Sequence, residues 1–289
     1  MRHWLIANTR AGNGSRGAEF WSDRLVRAGI ETLQVRDLAD ALWEDELMAD
    51  DIVLVAGGDG SVNRVARACL ARGAILGVLP SGTANDFARN LSLPEDPDVL
   101  CAVIAHGSTR RVDVGWLGER LFLNVVHIGL GTLPTTQASS RLKRWLGRFS
   151  YAAMLLQLRR LGLMRGFRAE ITYAGGRLEE RWLSIAIASG AFFGGGQRIP
   201  GAAVDDGRLT LIAVRPRAWW QLAWTFVVTR FNGATSAGDH CVQQCQPDAC
   251  RIRLGRKRQV TADGELLGRF SELQLRVDAG ALRVITGSD

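Results

Sequence analysis

ADDIVLVAGGDGSVNRVARACLARG, residues 49–73, is the stretch on which the fold turns. Its apolar run Ile52–Ala56 has the length and β-branched content of a buried strand. Val62, Val65, Ala66, Cys69 and Leu70 then fall on one helical face, and Gly73 closes that helix. Between the two patterns lies Gly57-Gly58-Asp59-Gly60-Ser61. A strand-to-helix turn presents unsatisfied N–H groups and the positive end of a helix dipole, which suits a phosphate. The missing side chains let a phosphate approach the backbone, and Ser61 stands where a cap or first-turn hydroxyl belongs. Asp59 would repel that phosphate unless a cation bridges them, and Mg²⁺ bound to ATP is the natural bridge. No Gly-Lys-Ser/Thr follows, so this is not a Walker A loop, nor is it GxGxxG. Taken alone, the turn is read equally well as a tight α/β connection with an incidental aspartate.

Its surroundings break the tie. A strand at Ala74–Leu79 runs into Pro80-Ser81-Gly82-Thr83-Ala84-Asn85-Asp86 and a helix over Thr83–Leu91. A first strand, Trp4–Ala7, opens onto Asn8 and the loop Thr9–Gly17. Parallel strands place such loops on one carboxyl edge, where ligands bind, so a nucleotide cleft is the favoured reading. Helices over Glu19–Ala28 and Ala39–Met48 and a strand over Ile30–Val35 complete the alternation of a parallel sheet covered on both faces.

From about residue 110 the texture changes. Short β-rich runs appear at Arg110–Trp116, Leu121–Val126, Arg168–Tyr173, Glu179–Ala188, Leu209–Val214, Arg251–Leu254, Gln259–Ala262, Gln274–Val277 and Leu282–Ile285. We therefore expect an α/β domain over 1–112 and a mainly antiparallel β-sandwich over 113–289, its last few residues able to return to the first domain. Helical inserts near 141–163 and 216–231 interrupt the second domain. Basic side chains from Arg141 to Arg168 alternate there with Trp145, Phe149 and leucines. Trp219, Trp220 and Trp224 mark the other insert. Each is readable as a membrane-surface helix or as a stripe packed on the sandwich.

A formal charge of +7 favours phosphates, whether in nucleotides or on an anionic leaflet. No common nucleic-acid motif is present, so a nucleic-acid partner is not expected. No run reaches the length of a transmembrane helix, and the N-terminus lacks the apolar core of a signal peptide. The expected location is the cytoplasm, with peripheral contact at the inner membrane face. The 5 cysteines suggest no disulfide framework, and the spacing of His240, Cys241, Cys245 and Cys250 fits no usual zinc pattern.

GGDGSVN (57–63) with LPSGTANDFARNL (79–91) resembles the diacylglycerol kinase catalytic domain, and most closely the bacterial YegS type, with sphingosine kinases as cousins. LKRWLGRFSYAAML (142–155), FFGGGQRIPGAAVDDGRL (192–209) and TADGE (261–265) extend the likeness in order along nearly the whole chain. The resemblance implies a two-domain, ATP- and Mg²⁺-dependent kinase that phosphorylates a lipid hydroxyl. It implies catalytic roles for Glu265, as general base, and Asp59. Nucleotide contacts fall on Asn8, Gly57, Gly58, Asp59, Gly60, Ser61, Val62, Asn63 and Thr83. A magnesium site falls on Asp206 with the carbonyls of Ala203 and Arg208. From spacing alone, Asp263 and Glu265 are equal candidates for the base, and Asp263-Gly264 is also ordinary hairpin chemistry. Two positions depart from the family: Ser61 replaces its usual Thr, and Arg64 its usual Glu. Against the lipid kinase stand an NAD kinase-like or other small-molecule kinase and a non-catalytic nucleotide-binding module on the same fold.

Overall fold

The computed structural model describes residues 2–8, 16–40, 42–129, 165–216 and 241–287. The loop 9–15 and most of both helical inserts lie outside the described residues. In the first part of the chain come β1 (His3–Ala7), α1 (Ala18–Arg27), β2 (Leu33–Asp37), α2 (Leu42–Glu46), β3 (Ile52–Gly57), α3 (Asp59–Arg72), β4 (Ile75–Pro80), α4 (Asp86–Asn90) and α5 (Pro97–His106). There follow β5 (Ser108–Leu117), β6 (Arg120–Phe122), β7 (Val125–Gly129), β8 (Phe167–Tyr173), β9 (Gly176–Trp182), β10 (Ser184–Ala188), β11 (Phe192–Phe193), β12 (Gln197–Arg198), β13 (Thr210–Val214), β14 (Val242–Cys245), β15 (Ala249–Ala262) and β16 (Glu265–Thr286).

Strands β2, β1, β3 and β4 lie parallel in that spatial order. Alternate residues point to opposite faces. Trp4, Ile6, Val53, Val55, Leu76 and Val78 pack on one side with Trp43 of α2 and Val62, Val65 and Cys69 of α3. Leu5, Leu54, Ile75 and Leu79 pack on the other with Trp21 and Leu25 of α1 and Leu100 and Ile104 of α5. The second domain is antiparallel, with its core between sheet layers at Val126, Ile128, Trp182, Ile185, Leu211, Ile252 and Leu273. β16 joins the halves. It pairs antiparallel with β15 and β5, then runs parallel to β4, so one 14-stranded sheet threads the molecule.

Local chemistry explains where the elements depart from the sequence reading. Helix α3 starts at Asp59 rather than Val62, which leaves only Gly58 as a turn. Ile30 is not in a strand, because its N–H bonds to the Leu25 carbonyl in the cap that ends α1. The second helix shrinks to Leu42–Glu46. Asp37 accepts the Ala39 N–H, Asp40 that of Leu42 and Asp51 that of Met48, each competing with helical pairing. Helix α4 begins only at Asp86. Before it, Gly82 and Asn85 exchange two 3.0 Å bonds and Asn85 is left-handed. Helix α5 has no counterpart in the sequence reading, although Asp96 caps it at 2.9 and 3.0 Å and Pro97 opens it. The run Leu121–Val126 breaks at Leu123–Asn124, whose N–H groups go to a carboxylate instead of a strand. The run Glu179–Ala188 breaks at Leu183. The four runs nearest the C-terminus merge in pairs into β15, bulged between Arg253 and Arg258, and β16.

Candidate functional site

The carboxyl edge of β1, β3 and β4 carries the site. β3 ends at Gly57, and a Cβ there would stand 2.5 Å from Ser61 Cβ and 2.6 Å from its Oγ. Only glycine lets the chain enter α3 this tightly. The Ser61 hydroxyl caps nothing; it accepts a 2.9 Å bond from the Asn8 amide at the end of β1. Gly58 meets Gly82 of the next loop, where a Cβ would fall 2.6 Å from the Gly58 Cα, and the Ser81 N–H bonds to the Gly57 carbonyl at 3.0 Å. Two glycine turns thus interlock backbone to backbone, with Thr83 exposed at their rim. The N–H of Val62 reaches back to the Gly58 carbonyl, so those of Asp59, Gly60 and Ser61 are left without intrahelical acceptors. These donors at a helix start make the cradle an anion requires.

Glu265 opens β16 beside that helix start. A Cβ on Gly60 would lie 3.2 Å from Glu265 Oε1, so the carboxylate stands against the first turn of α3. Asp263 takes a different place. With Gly264 it has positive φ at both central positions of the β15–β16 hairpin. Its carboxylate accepts N–H bonds from Leu123 (2.8 Å), Asn124 (2.9 Å) and Val125 (3.0 Å), and from the Asn63 amide (2.8 Å). Burial pushes its proton affinity up while these donors pull it down. Every partner is a donor, so the ionised form is the one that satisfies the site. Asn63, expected at the nucleotide, donates its amide to Asp263 and to the Leu121 carbonyl. Val62 is buried in the core and its N–H is used within the helix.

Asp59 is pinned by the Phe87 N–H (3.1 Å) and the Asn124 amide (3.3 Å). Burial, then the charge of Asp86, raises its pKa. Asp86 accepts N–H bonds from Gly195 and Gly196, and Asn90 exchanges bonds with the Phe192 backbone and donates its amide to Asn124 Oδ1. Helix α4 is thus a clamp holding the second domain against the first. Asp86, Asn90 and Asn124 were not singled out from the sequence. The available signals were Asn124, a polar interruption of an apolar run, and the place of Asp86 and Asn90 inside LPSGTANDFARNL (79–91). Arg64 faces away from the cradle and pairs with Glu44 of α2 at 2.9 Å, so its reversed charge is neutralised locally.

The turn at Asp206 forms a separate cluster. Asp206 accepts the Arg208 N–H (3.0 Å), and Asp205 pairs with Arg110. Asp113 accepts the N–H groups of Gly207 (2.7 Å) and Gly280 (2.8 Å). Burial and the charges of Asp113 and Asp205 raise the Asp206 pKa. No group of three or more His, Cys, Asp or Glu side chains clusters for a metal among the described residues. The carboxylates there are those of Asp206, Asp205 and Asp113, the last two already engaged by Arg110 and by backbone N–H groups. That oxygen-only set, like Asp59 beside the cradle, fits a hard divalent cation completing its shell with water or phosphate. Cys241, Cys245 and Cys250 form no disulfide among the described residues; His240 lies outside them.

Residues 2–117 match the family described as diacylglycerol kinase catalytic domain, and residues 124–286 that described as YegS C-terminal NAD kinase beta sandwich-like domain. A "probable lipid kinase YegS-like" of Chromohalobacter salexigens is 35% identical over 168 residues, which span 56% of this chain and 53% of that one. One of the same description from Pseudomonas aeruginosa is 34% identical over 252 residues, 85% of this chain and 80% of the other. A diacylglycerol kinase of Staphylococcus epidermidis is 30% identical over 259 residues, covering 86% and 79%. Among solved structures, a diacylglycerol kinase from Bacillus anthracis superposes with a TM-score of 0.75 at 20% identity, over 99% of this chain and 97% of that one.

Proposed function

The chain belongs to the YegS-like lipid kinase family with its diacylglycerol kinase catalytic domain, and on that premise we propose that it transfers the γ-phosphoryl group of ATP to a hydroxyl of a lipid such as diacylglycerol. The observation that carries this reading is the meeting of Glu265 with Gly60 at the start of α3. A carboxylate beside a phosphate cradle is where a base must stand to take a proton from an incoming alcohol. Glu265 accepts that proton as the alcohol oxygen bonds to the γ-phosphorus and the bridging oxygen departs with ADP. The N–H groups of Asp59, Gly60 and Ser61 receive the phosphates. Gly57, Gly58 and Thr83 shape the cradle, and Asn8 holds Ser61 in place.

Mg²⁺ supplies charge neutralisation on the phosphates when bound, with Asp59 as its carboxylate in the cleft. Asp206, with the carbonyls of Ala203 and Arg208, would hold a second such ion. The lipid reaches the cleft from a membrane surface by peripheral contact. The +7 charge favours an anionic leaflet, and cysteines without disulfides among the described residues fit a reducing cytoplasm.

The test is incubation with labelled ATP, Mg²⁺ and dispersed membrane lipid, with Glu265→Gln alongside. Label passes into the organic phase with wild type, and the variant loses roughly 100-fold to 10,000-fold in turnover. Label appearing on NAD or a sugar, or full turnover by the variant, would overturn the assignment.

A further inference from the structure

Away from the cleft, the bulge of β15 opens a pocket of about 330 Å³ between β8, β9 and β15, lined by Arg168, Arg181, Arg256 and Arg258 beside Gly166 and Gly255. Arg168 and Arg181 stand directly opposite each other across the β8–β9 ladder, a like-charge pair that destabilises a sheet unless something offsets it. Among the described residues no carboxylate pairs with either of them. Glu170 and Glu179 pair with Arg177, Glu180 with Arg215, and Glu272 with Arg251 and Arg253. Arg181 is steadied by the carbonyls of Arg165 and Gly166, both at 2.9 Å. The side chains of Arg168 and Arg256 make no hydrogen bond or ion pair among the described residues. The Arg258 guanidinium lies 5.4 Å from the Phe167 ring centre, and its Nε is buried without an acceptor.

We propose that this arginine pocket is a second anion site, separate from the nucleotide cleft, which binds a phosphoryl group. Guanidinium groups converging on one cavity match phosphate geometry, and a bound phosphoryl group relieves the Arg168–Arg181 repulsion while giving Arg258 Nε an acceptor. The volume accommodates the group with several waters, each about 30 Å³. The bulge between Arg253 and Arg258 turns Arg256 and Arg258 into the same cavity as Arg168, which an unbroken strand would not do. The inference does not depend on the kinase reading, because its measurement is binding.

The phosphoryl group has two sources, the headgroup of an anionic phospholipid or a free phosphate, and two arms separate them. In the first, inorganic phosphate is titrated calorimetrically into the full chain, into R168A/R256A, and into R67A/R72A, which removes the same charge from α3. In the second, the three proteins are sedimented with phosphatidylcholine vesicles with and without phosphatidic acid. Arg168 and Arg256 are both exposed, so an unchanged melting temperature is expected of R168A/R256A. We expect that variant to bind inorganic phosphate about tenfold more weakly, with the α3 control near wild type. A parallel tenfold loss on phosphatidic acid vesicles assigns the site to a headgroup. Unchanged sedimentation beside weakened phosphate binding assigns it to the free ion. Phosphate binding equal in wild type and R168A/R256A, or weakened as much by the α3 control, overturns the proposal, as does wild type that binds no phosphate.

Discussion

A methyl group placed on Gly60 meets one atom within 4 Å, Oε1 of Glu265 at 3.2 Å, where ordinary contact begins at 3.4 Å. In Gly60→Ala the carboxylate must therefore withdraw by a few tenths of an ångström. Glu265 is exposed and can do so cheaply. Gly60 has no positive φ and lies in the first turn of α3, so alanine there contributes roughly 0.5 to 1 kcal/mol of helix stability. Fold and chemistry should separate. The melting temperature holds or rises by about 2 °C. Since a displacement of about 1 Å costs on the order of 100-fold, this smaller one lowers kcat about tenfold, or roughly 1.4 kcal/mol of barrier. Gly57→Ala is the contrast, because its new methyl falls 2.5 Å from Ser61 Cβ, which α3 holds in place. That variant loses about 1 to 3 kcal/mol of stability. Steady-state kinetics with ATP and dispersed lipid, beside thermal melts, reads both. A Gly60→Ala enzyme with kcat within twofold of wild type refutes the placement of Glu265 as base. One destabilised as much as Gly57→Ala refutes the first turn described for α3.

Two further outcomes follow from the polar interior. Asp263→Asn puts an amide among the N–H donors of Leu123, Asn124, Val125 and Asn63; urea unfolding should show a loss of about 3 kcal/mol, and a loss under 1 kcal/mol contradicts the network. His127, opposite Ala186 and Thr261, is held at a pKa of about 4 by burial, with no partner for Nδ1 among the described residues. Its folded pKa lies below the unfolded value of 6.5, so its contribution is complete above pH 6.5 and declines as pH falls toward 4. Denaturant titrations across that window should lose about 3 kcal/mol, a slope absent in His127→Asn; equal slopes in the two proteins would show that His127 is already protonated or solvated.

The first domain could be read almost directly from the chain because its signals are local. Ile52–Gly57, the periodic face of α3, Gly73 in its left-handed cap and the parallel edge with its glycine turns all depend on residues close in sequence. What escaped was set by side chains competing for backbone groups. Asp37 and Asp40 shortened α2, and the Asp263 carboxylate, 140 positions from Leu123, broke an apolar run into β6 and β7. The sandwich strands were located more surely than their ends, since β15 and β16 continue through a bulge and a register shift that composition does not mark.

The candidate base shows where the boundary falls. Asp263 and Glu265 flank one glycine in TADGE, and nothing in residue type or spacing separates them; the resemblance to diacylglycerol kinases favoured Glu265. Residue order alone made the phosphate cradle legible, because a glycine turn between a buried strand and an amphipathic helix leaves donors pointing outward whatever lies around it. Packing of the two domains separated the two carboxylates, placing one beneath donors from the β6–β7 link, β7 and α3 and leaving the other against Gly60. The clamp of Asp86 and Asn90 on the Phe192–Gly196 segment likewise came into view only in three dimensions. Hydrogen bonds between residues about 100 apart leave no periodicity to read.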